Sequence, residues 1–347
     1  MDDISNNIIK EEKNTTLGRH SSPKTDKHTD KHTNSNPNTN TKTNIKTNIK
    51  TNINISKIKH IVLSGGAYLG LYELGSLRYL QCQEYYSYDN ILSIHGTSIG
   101  GLIACIMCIE SNMDDICKYF IERPWNNLIQ MSPSMLFDVI PKKGLIGREI
   151  FQMVLEPILK NNGFSSNITL LELYEKTNKE LYMYSVSLNE FQERQISYKT
   201  HPELDIITAV HMTCALPYLV QPVWYKDDYY IDGGLMNNYP INKCFEMENS
   251  DNDNILSIAF DFKHSTKKIT QDANIFEYGY ILYKKLAKNI KQRVECKDII
   301  KNQIIIPCKE MNLNDGYKAL NNQVVRNEMI EQGENYARIF MIYNNNK

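Results

Sequence analysis

No apolar run in this chain is long enough to cross a bilayer. The longest, Ile99 to Ile109, falls well short of the roughly 20 residues a membrane helix needs, so no transmembrane segment is expected. The first twenty residues are polar and lack an apolar h-region, so no secretory signal is expected either. The expected location is cytoplasmic or intracellular, at most peripheral to membranes. Neither sign of charge dominates. The 347 residues hold 39 Lys+Arg and 40 Asp+Glu, and no basic stripe or nucleic-acid-binding signature appears, which argues against a nucleic-acid partner. Cysteines are few and scattered, eight in all. In a long, unsecreted chain they are expected as free thiols. Cys105 and Cys108 have C-x-x-C spacing, but they fall on an expected buried helix with no second ligand pair nearby in sequence. They read as structural rather than as a redox or metal site, and no metal site is expected.

What is present divides in two. Residues 1–56 are built from Asn, Thr, Lys, His, Ser and Asp, and Lys42 to Ile53 repeats a four-residue Lys-Thr-Asn-Ile unit. So little apolar surface cannot offset the entropy of ordering, and a disordered tail is expected, either a solvated extension or an interaction arm. Residues 57–347 can form one domain with a substantial core. A motif-bearing part covers about 58–245, and strand plus helix cover 246–347.

Strand and helix signals alternate along this domain. Residues 59–64 read as a strand that enters Gly65-Gly66-Ala67-Tyr68-Leu69-Gly70 and then a helix with Leu71, Leu74, Leu77 and Leu80 three apart. Residues 90–95 read as a strand turning at Gly96 to Gly100 into an apolar helix that runs to Ile109. Residues 113–160 read as mostly helical, broken at Pro124, Pro133 and Pro141. Strands are expected at 180–187, 228–231 and 254–262, and helices at 205–214 and 273–295. The alternation predicts an α/β architecture with a mainly parallel sheet.

Gly96-Thr97-Ser98-Ile99-Gly100 is G-x-S-x-G between an apolar strand and an apolar helix. A nucleophilic serine must sit on a tight, strained turn, with glycines on either side to let strand and helix approach. The helix N-terminus behind it favours developing negative charge. Ser98 is therefore the candidate nucleophile. Gly65-Gly66-Ala67 lacks both the G-x-G-x-x-G fingerprint and a following G-K-[ST], so a phosphate loop is disfavoured. It reads instead as an oxyanion hole near Ser98, built from main-chain N–H groups. The serine needs a base. Among the histidines after Ser98 (His201, His211, His264), His264 follows an expected strand and is the serious candidate; the alternative is Asp232, before Gly233-Gly234.

At this point four segments, in order, resemble the patatin-like phospholipases: Ser64 to Gly70, Gly96 to Gly100, Ala215 to Val223 (A-x-P-x-x-x-x-P-V) and Tyr230 to Ile241 (D-G-G-x-x-x-N-x-P). Gly144-Leu145 and the helix after it also suit the family. The resemblance implies a three-layer α/β/α fold with a mainly parallel central sheet. It implies a Ser98–Asp232 dyad, an oxyanion loop at Gly65, Gly66 and Ala67, and motif glycines at Gly70, Gly96, Gly100, Gly233 and Gly234. The implied reaction is hydrolysis of phospholipid, lysophospholipid or neutral glycerolipid esters through an acyl-Ser98 intermediate, with no cofactor, on a substrate at a membrane or micelle surface. Two positions depart from the family pattern. Ala67 replaces the loop's third glycine, and Leu69 replaces the usual Lys or Arg. Alanine keeps its N–H available if its φ is negative.

Two rival expectations follow: a patatin-fold protein that binds lipid or a partner with little turnover, and a Ser-His-Asp hydrolase using His264. Helix 273–295 sets lysines beside Phe276, Tyr278, Tyr280, Ile281, Leu282 and Tyr283. It can pack on the sheet with a solvated lysine face or lie on anionic lipid. Met131 to Ile140 is read as core, or as a lid or lipid contact.

Overall fold

The computed structural model describes residues 57–128, 139–248, 253–262, 269–291, 300–308 and 313–345. The 1–56 tail, Met131 to Phe137 and His264 lie outside the described residues. Ile140, at the end of the supposed lid, is 85% exposed.

The sheet is organised around β1 (His60–Leu63), buried along its whole length. It pairs in parallel with β2 (Ser93–Thr97) on one side and β9 (Ile255–Phe262) on the other. Beyond these, β4 (Glu180–Ser187) joins β2 and β10 (Asn302–Cys308) joins β9, both in parallel. The far edge is antiparallel: β8 (Asp228–Asp232) pairs with β4 and with β7 (Val223–Tyr225), and β5 (Gln192–Ile196) also pairs with β4. A separate parallel pair joins β3 (Gly144–Ile146) to β6 (Tyr218–Val220).

Side-chain alternation on β1 divides the core in two. Ile61 and Leu63 face the larger cluster. This is covered by α1 (Gly70–Cys82), α2 (Ile99–Ile109), α3 (Met113–Glu122), α5 (Arg148–Asn161), α7 (Ile206–Cys214) and α11 (Gln323–Asn345). Of the remaining helices on the way, α4 is Trp125–Leu128 and α6 is Leu170–Thr177. Val62 faces the other side, against Ile241 and Cys244 of α8 (Ile241–Glu248). On that side α9 (Ile275–Lys291) also lays Tyr283, Ala287 and Ile290 over Val186, Ile231 and Leu235. The result is the expected three-layer α/β/α arrangement, with a mainly parallel sheet in the middle.

The C-terminal helix α11 docks on α1 at backbone distance. A Cβ on Gly75 would stand 1.9 Å from the Ile330 carbonyl oxygen, and one on Gly333 would stand 2.2 Å from that of Tyr72. No side chain fits at either position. Ser76 Oγ donates to the Gly333 carbonyl (2.9 Å) across this contact. A short α10 (Leu313–Asn321) precedes α11.

Cys105 and Cys108 are free and buried on α2, and burial pushes the Cys108 thiol up to about 12, far from the thiolate that redox chemistry needs. The region read as mostly helical, 113–160, contains the short strand β3; β5, β6 and β7 add elements beyond those expected, and β10, α10 and α11 give individual elements to the strand-plus-helix C-terminal part. Among the described residues no helix is long and apolar enough to cross a membrane.

Candidate active site

Ser98 is the single residue between β2 and α2. Its backbone (φ 56°, ψ −126°) lies in a region that side chains rarely adopt, at a strain of roughly 1–3 kcal/mol. The surroundings hold it there. Its N–H donates to Thr213 Oγ1 (2.9 Å), and Thr213 in turn donates to the Tyr184 carbonyl (2.5 Å). The glycines on either side are required by contact. A Cβ on Gly96 would lie 2.3 Å from the Gly100 backbone, and one on Gly100 would lie 2.6 Å from the Leu63 carbonyl oxygen.

Asp232 reaches Ser98 through strand register. Thr97 pairs with Tyr184, and the next residue on β4, Ser185, pairs with Asp232. The two functional residues are thereby brought to one level of the sheet although 134 positions apart. Ser98 Oγ donates to Asp232 Oδ2 at 2.6 Å. Oδ1 accepts from the Gly234 N–H (2.7 Å) and, at 3.4 Å, from the Tyr283 hydroxyl of α9. Only 3% of Asp232 is exposed. Burial raises its pKa to about 6, opposed by the hydrogen bonds from Ser98, Gly234 and Tyr283.

The glycine loop is clamped by the segment that follows Asp232. The Gly65 N–H donates to the Asn238 carbonyl (2.8 Å), and Asn238 Nδ2 donates back to the Gly65 carbonyl (2.8 Å). Thr97 Oγ1 donates to the Asn237 carbonyl (2.9 Å). This explains why asparagine follows the Asp-Gly-Gly turn. It also means that the Gly65 amide is occupied, leaving Gly66 and Ala67 as the loop's other expected donors. From below, the buried Glu73 accepts the Ser64 N–H at 3.0 Å through Oε1, while Oε2 has no hydrogen-bond partner. Burial holds its pKa well above the usual carboxylate range.

Ala67 has φ 48°, not the negative value on which its tolerance in place of glycine rested. Left-handed backbone costs an alanine about 1–2 kcal/mol, and this one is exposed, so its methyl has little packing to set against that. Ala67→Gly is expected to stabilise the protein by about 0.5–1 kcal/mol, read as a rise in Tm. A fall in Tm would mean that the methyl group contributes more than the strain costs. Leu69 is 5% exposed and belongs to the main core, so a charged residue there would be buried. Gly70 opens α1 against Ile99, and Gly233 and Gly234 form the turn after β8.

The described histidines do not contact Ser98. His211 is buried against Phe151, its Nε2 2.8 Å from the Gln221 carbonyl, and burial lowers its pKa to about 4. His201 lies beside Thr200 and Tyr225. His95, next to the elbow in sequence, is held by Tyr184, Ser93 and Glu248.

Ser98 lies at the wall of a cavity of about 310 Å³, otherwise lined mainly by apolar groups such as Leu102, Phe120, Trp125, Phe151 and Leu219. Its size is at the lower end for small-molecule sites. Cys214 lies beside Ser98 in the cavity lining, and burial pushes its thiol well above the usual range. Sequence reasoning does not single out Thr213, Tyr283 or Cys214. Thr213 and Cys214 immediately precede the Ala215 to Val223 segment, whereas Tyr283 has no local motif to mark it.

Comparisons with known proteins place the chain in a family. A family model described as patatin-like phospholipase matches residues 61–244. A probable lipid hydrolase of Invertebrate iridescent virus 6 is 29% identical over 196 residues, 56% of this chain and 66% of that protein. An uncharacterized protein of Acanthamoeba polyphaga mimivirus is 29% identical over 205 residues, 59% of this chain and 66% of its own length. The matches thus span just under two thirds of these relatives. The crystal structure of VipD from Legionella pneumophila is similar with a TM-score of 0.49 at 16% identity, covering 83% of this chain and 67% of that one.

Proposed function

This chain belongs to the patatin-like phospholipase family, and from that premise we propose that it is a lipid acyl hydrolase that cleaves ester bonds of phospholipids, lysophospholipids or related glycerolipids. The observation that carries this reading is the 2.6 Å contact between Ser98 Oγ and Asp232 beside an apolar cavity. An acyl chain fits such a cavity by apolar burial. Ionised Asp232 takes the hydroxyl proton as Ser98 Oγ bonds to the ester carbonyl carbon. The carbonyl oxygen takes up negative charge, for which the Gly66 and Ala67 amides and the N-terminus of α2 are the proposed stabilisers. When the intermediate collapses, the ester C–O bond breaks and Asp232 returns the proton to the departing alcohol. Water then repeats the sequence on acyl-Ser98, releasing the fatty acid. The curated viral relative named as a probable lipid hydrolase supports the same substrate class.

A lipid panel assayed with wild type, Ser98→Ala and Asp232→Asn tests this directly. Ser98→Ala is expected to lower turnover by about 10³-fold or more and to abolish labelling by a fluorophosphonate probe while the fold persists. A wild-type chain that neither labels nor hydrolyses any acyl ester would sink the reading. The occupied Gly65 amide and the left-handed Ala67 favour a second reading, a patatin-fold lipid binder with weak turnover. Lipid binding without measurable hydrolysis would select it.

A further inference from the structure

Helix α9 turns one face to the site and leaves an apolar ridge on another. Its inward residues Tyr283, Ala287 and Ile290 pack on the sheet, and Tyr283 reaches Asp232. Ile275, Tyr278, Leu282 and Leu286 follow one another at spacings of three and four, which aligns them along the helix. They are 57%, 49%, 40% and 46% exposed, respectively. Lys285 is exposed at the edge of this ridge, one turn from Leu282, and Lys288 is exposed one turn beyond Lys285. In sequence the helix carries Lys284, Lys285, Lys288 and Lys291 against a single acid, Glu277. It also adjoins the cavity. A Cβ on Gly279 would stand 2.4 Å from the ring of Tyr218, which is 41% exposed and precedes the cavity-lining Leu219.

We propose that this face of α9 is a docking surface for an anionic lipid bilayer, with Ile275, Tyr278, Leu282 and Leu286 entering the acyl boundary and Lys285 and Lys288 meeting the headgroups. An apolar stripe edged by cations on one helix has the composition of interfacial helices. Lysine stems are long enough to lie along the apolar ridge while their ammonium groups stay at headgroup level. The charge selects anionic over zwitterionic lipid. The ridge stands out as a helix surface, which suits a deformable bilayer better than a protein groove. Docking there holds β6, whose Leu219 lines the cavity, at the surface from which, on the hydrolase reading, an acyl chain enters. In that respect the assignment rests on that reading, but binding itself does not require turnover.

The test uses the full chain carrying Ser98→Ala, so that vesicles stay intact, in flotation with phosphatidylcholine vesicles with or without phosphatidylserine. Binding is expected to the phosphatidylserine-containing vesicles and to weaken with added salt. Lys285→Ala with Lys288→Ala should weaken it about 25-fold, roughly fivefold per lysine. Leu282→Ser with Leu286→Ser should weaken it more than tenfold. The same pairs placed in the Ser98 background should keep their melting temperatures and their hydrolysis of a soluble short-chain ester. No binding to anionic vesicles, or binding unchanged in both pairs, overturns the assignment. Loss of short-chain ester hydrolysis in wild type would instead strike the hydrolase reading and leave the vesicle result standing.

Discussion

Asp232→Asn is expected to lower ester turnover by about 10³-fold or more, within the range of an essential general base, and at the same time to make the protein harder to unfold above neutral pH. Both effects come from burial. At 3% exposure with no cation among its hydrogen-bond partners, the ionised carboxylate is costly, and its pKa stands at about 6. An unfolded chain would place it near 3.9. Between these values the native state binds more protons than the unfolded state, so stability falls as pH rises through that window. Above about pH 6 the full penalty applies, on the order of 2–3 kcal/mol for a pKa raised by this much. Asparagine keeps an oxygen to accept the Gly234 N–H and carries no charge to bury, so the variant should recover part of that amount. Activity should run the other way. In wild type, kcat/KM should fall with decreasing pH through about 6 as Asp232 is protonated. Chemical denaturation at about pH 8 and a pH–rate profile check the two halves. A variant less stable than wild type at that pH, or a rate indifferent to acidification through 6, would remove Asp232 from this role.

The parts legible in sequence were those carried by contiguous residues. The Gly65 loop, the Gly96 to Gly100 elbow and the Asp232 to Asn238 segment each announce a turn through glycine spacing, and the fold hydrogen-bonds all three together. The alternation of strand and helix was enough for an α/β architecture with a mainly parallel sheet, and the three-layer order followed from the resemblance. Other features were not legible, for identifiable reasons. β3 and β6 have three residues each, too few to show a period. β10 contains Pro307, which argues against a central strand; among the described residues the structure puts it at the edge, paired with β9 alone, where a missing N–H is tolerated. Nothing in the letters sets the φ of Ala67 at 48°. Tyr283 lies 51 residues beyond Asp232 and comes to it only because α9 lies across β8 and β4.

The C-terminal segment carries the largest consequence of this kind. Arg326, the fourth residue of α11, is 5% exposed and forms no ion pair with an acid among the described residues. Its guanidinium instead donates to five main-chain carbonyls. Nε reaches Phe120 and Ile121, Nη1 reaches Ala319 and Leu320, and Nη2 reaches Ile121 and Arg123, at 2.6 to 3.1 Å. These carbonyls close the C-termini of α3 and α10, where helix dipoles gather partial negative charge and the last acceptors lack partners. One cation thus caps two helices, and its side chain also lines the cavity beside Ser98. Arg326→Met keeps much of the apolar stem but removes the guanidinium from all five acceptors, of which Phe120 keeps a second donor, Trp125 Nε1 at 2.8 Å. Buried acceptors left unpaired cost about 1–3 kcal/mol each, less where water enters, so a loss of at least about 3 kcal/mol is expected. Arg326→Lys should fall between, since an ammonium has three donors and no planar fork. At roughly 2–4 °C per kcal/mol, the methionine variant should melt on the order of 10 °C below wild type. Ester hydrolysis should fail at that lower temperature even though Ser98 and Asp232 are intact. If Arg326→Met melts with wild type, the two helix ends are capped by something else, and α11 serves the cavity only through its packing on α1.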